Sequence, residues 1–342
     1  MASSSGKTDS RLIGVPEQGG YLSSEHHDQP PQSARYHRPF FLERLTPHYA
    51  PRCMHFNLAI LLLVTLVWGT TFPLLKTAAS TLSGIEISGI RFALAAVCMA
   101  PFMRKVPWRT WIDGALLGAL ALVSYVSQAF GMQYISSNRS AFLTSLAVLM
   151  VPVLGLFWGA RLSAITLCAG LLACVGIGFM SWEGGAHFLG DSATVVCALA
   201  YALYVIVLSQ RSSDHDSRQL TATQIAFMAV FSTFWIAGAG IGSDALRTLS
   251  GRLVPHWPLL LYLGVVATAG MLLLQAIAQR KVAADKASVI YAMEPVFAAL
   301  FGWIWLNEVL STRAALGGAM VVVAVLLSEL KPGQADAGKP DG

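Results

Sequence analysis

Two ionisable residues stand deep inside long apolar stretches of this sequence: Arg91, in IRFALAAVCMA, and Glu294, in SVIYAMEPVFAALFGWIWL. A charge there costs about 2.5–3.5 kcal/mol on insertion scales unless it faces a cavity or a partner. At 1.5 Å of rise per residue, Arg91 lies roughly 9 Å from one end of its stretch and Glu294 roughly 12 Å from the opposite side. Arg91 is the type of group that anchors an anion such as a carboxylate, and Glu294 the type that pairs with an amine or carries a proton. Pro295 follows Glu294, removes a backbone donor and frees the carbonyl of Tyr291, so an acid, a loose carbonyl and a kink fall at one level. The alternative readings are structural: an arginine tying down a helix end or reaching for the interface, and a glutamate that caps or pairs within a bundle.

Rings and amides accompany the two charges. Trp68 and Thr71, Tyr201 and Tyr204, and Tyr291 and Glu294 are each three residues apart, which places both members of a pair on one helix face. Gln128 and Gln275 lie in the middle or later part of their own stretches. Together these nine residues are expected to bind substrate. A cavity lined by them suits an amphiphilic solute with a ring or alkyl group, held by stacking and cation–π contact. Taken singly, each ring reads first as core packing or an interfacial belt, and the group says more than its members. A zwitterionic amino acid bridging Arg91 and Glu294 would couple its movement to a proton exchanged at the glutamate.

The elements that must position these groups follow from composition. The chain of 342 residues is 55% hydrophobic and 12% charged, where a soluble protein carries roughly 25% charge, so a soluble fold is excluded. From Phe56 to Leu330 the apolar residues come in blocks long enough to span a bilayer, about 20 residues each. The expected spans are 56–78, 85–104, 111–131, 138–158, 163–182, 190–209, 221–242, 257–279, 287–306 and 312–330. All are helices, because a barrel strand would alternate. The fold class expected is therefore an all-α membrane protein of ten transmembrane helices.

Residues 1–52 hold 11 charged residues, six prolines and four histidines without helical or strand period. They read as a disordered, dispensable tail, with Met54 as an alternative start, and 331–342 reads as a second disordered tail. Fourteen Lys and Arg near the ends of one set of alternate loops stand against four on the other set. That asymmetry places both termini in the cytoplasm of a cell whose inner membrane holds the protein. The net charge of +5 belongs to those loops, so no nucleic-acid partner is expected. The five cysteines have no regular spacing, and His26-His27 and Cys53-Met54-His55 supply too few ligands for a structural metal. No metal or cofactor is expected, and the lack of a phosphate loop, zinc-protease helix or nucleophile elbow argues against an enzyme.

Residues 140–163 align with 288–311 at a constant offset of 148, and a second offset of 133 sets Trp68 opposite Tyr201 and Arg91 opposite Gln224. The chain thus reads as two five-helix halves, 56–182 and 190–330. Five is odd, so the second half is inverted, the arrangement that supports alternating access. Gly114/Gly118, Gly155/Gly159 and Gly238/Gly242 are small pairs suited to close helix approach.

The segments LVWGTTFPLLKTA (66–78), IRFALAA (90–96), QYISSNRSAFLTSL (133–146), the Gly190-Asp191 start and YAMEPVFAALFGWIWLNEVLS (291–311) resemble the EamA-type transporters of the drug/metabolite transporter superfamily. The resemblance implies a ten-helix inner-membrane secondary carrier, commonly an exporter of amino acids or other small metabolites. The sequence departs from the family pattern at Thr70-Thr71, Ala147-Val148 and Gly159-Ala160. The competing reading is a multi-span assembly factor or sensor that transports nothing; such a protein would need an extramembrane segment for its partner. The partners expected of a carrier are a small-molecule substrate and the lipid bilayer.

Overall fold

The computed structural model describes residues 51–78, 80–159, 164–181, 187–238, 251–306 and 311–329. Most of both expected tails lies outside the described residues, as does the second glycine of the Gly238/Gly242 pair. Among the described residues the secondary structure is helical, with no strand. The helices are α1 (Pro51–Ala78), α2 (Gly84–Met99), α3 (Trp108–Tyr134), α4 (Ser137–Ser145), α5 (Ala147–Gly155), α6 (Ala164–Ser181), α7 (Phe188–Arg211) and α8 (Ser217–Gly238). After these come α9 (Trp257–Leu261), a π-helical stretch (Tyr262–Gly270), α10 (Met271–Gln279), α11 (Ala284–Tyr291), α12 (Glu294–Leu306) and α13 (Thr312–Glu329).

Among the described residues six helical segments are long and apolar enough to cross a membrane: His55–Leu75, Gly84–Met103, Trp108–Tyr134, Phe188–Asp214, Ser217–Ile236 and Gly251–Gln279. Arg139–Gly155, Ala164–Phe179 and Thr312–Ser328 are apolar but shorter. Large apolar side chains cover the outside, among them Val97, Val175, Phe234 and Leu326. Small ones fill the places where helices meet. A surface of that kind is stable against acyl chains and unstable against water.

Two of the apolar blocks read as single helices are interrupted, and a third changes its winding. The block at 138–158 breaks at Leu146, between α4 and α5, and the block at 287–306 breaks at Ala292-Met293, between α11 and α12. The block at 257–279 is continuous but contains the π-helical stretch. Pro295 explains the second break, since its ring cannot follow an unbroken helix. Pro152 sits inside α5 instead of at the first break.

Two local devices set the height of α2. Ser83 caps it: its Oγ accepts from the Glu86 amide at 3.3 Å, and its own amide donates to Glu86 Oε2 at 2.8 Å. Arg252 then forks onto the same carboxylate at 2.7 and 3.1 Å. This box fixes the first turn, so the residues two turns on, including Arg91, face inward. Close approach completes the frame. A Cβ on Gly264 would fall 2.7 Å from Leu94 Cβ, and one on Gly69 would fall 2.6 Å from Phe297 Cβ. Only glycine lets the π-helical stretch touch α2 and lets α1 touch α12. The glycines Gly114 and Gly118 of the first small pair both face α8.

Candidate functional site

Most of the expected side chains meet around one pocket, which with its open side encloses about 530 Å³ of empty space. Trp68 and Thr71 of α1, Arg91 of α2, Gln128 of α3, Tyr201 and Tyr204 of α7 and Glu294 at the start of α12 line it. Tyr291 lines a second cavity of about 300 Å³, which shares Thr144, Tyr201 and Glu294 with the first. Gln275 lines neither. It is fully buried behind Tyr201, to whose hydroxyl its Nε2 donates at 3.4 Å.

Arg91 is only 3% exposed, yet it makes no ion pair with a protein carboxylate among the described residues. Its Nε donates to Thr268 Oγ1, and its guanidinium lies over the Tyr125 ring, 4.5 Å from the centroid. Those contacts use one edge and one face of the fork. The two terminal nitrogens, the pair that grips a carboxylate side-on, are left for the cavity. Because the charge is desolvated, a matching anion is strongly favoured there.

Glu294 lies at the junction of the two cavities and accepts no hydrogen bond from the described residues. Helix α11 ends at Tyr291 and α12 starts at Glu294 itself, so the carboxylate sits in the first turn of a helix, the end where its dipole favours an anion. The aromatic wall between the two charges is compact. Trp68, Tyr201 and Tyr291 form a triangle with centroid separations of 6.1, 5.9 and 5.8 Å, and Tyr204 stacks on Tyr201 at 6.1 Å with 15° between planes.

The π-helical stretch supplies contacts that spacing alone does not announce. The indole Nε1 of Trp68 donates to the Ala267 carbonyl at 2.9 Å, and Thr268 Oγ1 both receives Arg91 and donates to the Leu263 carbonyl five residues back at 2.7 Å. Tyr125, Ser124, Thr144 and Leu272 also line the larger cavity and were not among the expected residues. Tyr125 precedes Gln128 by three, the spacing used for the other pairs, and that was the available signal. Among the described residues no group of three His, Cys, Asp or Glu side chains comes together to hold a metal; His26-His27 lies outside them.

The pattern of the EamA-like transporter family matches residues 56–182 and again 188–330. The chain belongs to that family. EamA proteins are transporters, so this chain is a multi-pass membrane transporter and not an enzyme. An uncharacterized transporter of Archaeoglobus fulgidus is 28% identical over 273 residues, 79% of this chain and 85% of its own length. The Pseudopaline exporter CntI of Pseudomonas aeruginosa is 25% identical over 278 residues, 76% of this chain and 91% of its own. A crystal structure covering 80% of this EamA chain and 97% of its own matches with a TM-score of 0.64 at 16% identity, which shows the shared fold.

Proposed function

We propose that this EamA protein is a secondary active exporter of amino acids or other small amphiphilic metabolites, working by alternating access. In this reading ten spans form two inverted halves, 56–182 and 190–330, in the inner membrane with both termini in the cytoplasm. The observation that carries it is the buried Arg91 fork, open to a cavity that Glu294 also lines with a carboxylate no described residue bonds. A zwitterion satisfies both at once, its carboxylate toward Arg91 and its ammonium toward Glu294, while its body lies against the aromatic triangle. Protonation of Glu294 releases the ammonium and couples export to the proton.

The two halves are supported by the placement of the helix breaks. An offset of 148 sets Leu146, the break between α4 and α5, opposite Glu294, where α11 gives way to α12. Paired discontinuous helices at matching positions are where carriers place their sites. Export as the direction follows the name of the Pseudomonas relative.

A growth screen tests the substrate class: cells overproducing the protein should tolerate otherwise toxic concentrations of particular amino acids or analogues. With a substrate in hand, Glu294→Gln should reach the membrane at normal abundance yet lose most transport and its pH dependence. Arg91→Lys keeps the charge without the planar fork and should weaken substrate affinity. Wild-type transport and pH response in Glu294→Gln would overturn the coupling scheme.

A further inference from the structure

The smaller cavity offers a different set of hydrogen-bonding groups from the larger. Three of its five hydroxyl protons are already committed to protein acceptors. Ser145 Oγ donates to the Ala141 carbonyl at 2.8 Å, Ser288 Oγ to the Asp285 carbonyl at 2.7 Å, and the Tyr291 hydroxyl to Gln279 Oε1 at 3.2 Å. Each of these three oxygens therefore presents lone pairs and no proton to anything that enters, whereas the hydroxyls of Thr144 and Tyr201 receive amide donors from Gln128 and Gln275. The carboxylate of Glu294, shared with the larger cavity, adds further acceptors. No Lys, Arg or His is among the lining residues, and apart from Thr144 and Tyr201 the rest of the wall is aliphatic, with Ala147, Val151 and Val205.

A recess rich in acceptors and without a cation selects sharply. A carboxylate entering it meets Glu294 and oxygen lone pairs and leaves behind its own hydration. An alkyl end leaves the acceptors unpaired. A group that donates several hydrogen bonds satisfies them. We propose that the smaller cavity is a subsite for a terminal hydrogen-bond-donating group, an ammonium or an amide, of a solute whose carboxylate is held by Arg91. The inference rests on the preceding reading that the larger cavity binds a carboxylate-bearing solute. It adds that the solute continues past Glu294 and ends in a donor.

Two pairs of amino acids of matched shape test it: glutamine against glutamate, and ornithine against norleucine. Binding to the purified full-length chain in lipid nanodiscs is measured by titration calorimetry. The donor-bearing member of each pair should bind about tenfold more tightly or better. In the double variant Ser145→Ala, Ser288→Ala, that ratio should fall several-fold toward one. Both hydroxyls bond only to carbonyls of their own helices, so their removal leaves the helical ladders in place. Binding of all four amino acids with no preference, or a preference unchanged in the double variant, overturns the subsite and leaves the Arg91 reading standing. Failure of all four to bind overturns both. The wild-type comparison decides the matter even if the variant does not accumulate.

Discussion

The indole nitrogen of Trp68 donates to the carbonyl of Ala267 at 2.9 Å, across 199 residues of sequence. The bond ties the middle of α1 to the π-helical stretch, and through Thr268 the same stretch holds Arg91. Trp68 therefore does two things: it forms one side of the aromatic triangle and fixes the wall that aims the guanidinium.

Trp68→Phe keeps a ring in the triangle but strands the Ala267 carbonyl in a buried place. The loss should be about 1–3 kcal/mol of stability. Thermal unfolding of the purified protein in detergent checks it, and an unchanged midpoint would mean that the carbonyl finds another donor.

Thr268→Val conserves shape and removes the oxygen that orients Arg91. Substrate affinity should fall by about tenfold. Thr268→Ser, which restores the oxygen, should bring it back, and a rescue confined to the serine variant separates loss of orientation from loss of packing.

Gly264→Ala drives a methyl group to within 2.7 Å of Leu94 Cβ, a contact that cannot be made without moving α2. The cost should be about 1–3 kcal/mol, seen as reduced abundance in the membrane and a lower unfolding midpoint. Gly251, whose Cβ would meet nothing within 4 Å, is the control, and Gly251→Ala should change neither.

Topology is read with single cysteines in a background stripped of the natural five. Gly251→Cys should react with an impermeant thiol reagent added to intact cells, and Ser213→Cys, in the exposed turn after α7, should be shielded. The reverse pattern would invert the orientation drawn from the charge count.

The part of the site that was legible in the sequence is the part where a residue contradicts its surroundings. Arg91 and Glu294 stand out because a charge in an apolar block is expensive, and Trp68, Tyr201 and Tyr204 because polar-edged rings recur at helical spacing. Gln275 has the same type and depth but faces the back of Tyr201, since a linear pattern does not say which side of a helix turns inward. Thr268 and the Ala267 carbonyl were not legible at all. Their roles come from π winding, which the apolar pattern of YLGVVATAG does not distinguish from an α-helix. The breaks divide in the same way: Pro295 announces the one beside Glu294, whereas nothing at Leu146 marks the other, because Pro152 is carried within α5.

The π winding of Tyr262–Gly270 has a consequence for how the site can be disassembled. An α-helix closes each hydrogen bond four residues back, and the π form closes it five back. Returning even one turn of this stretch to the α register would swing everything on its far side by about 100°. The Ala267 carbonyl would turn away from the indole and the Thr268 hydroxyl away from the guanidinium in a single motion. The two fastenings would move as teeth on one gear, so in the proposed carboxylate-binding reading the fork would lose its aim at the same moment as the aromatic wall loses its anchor.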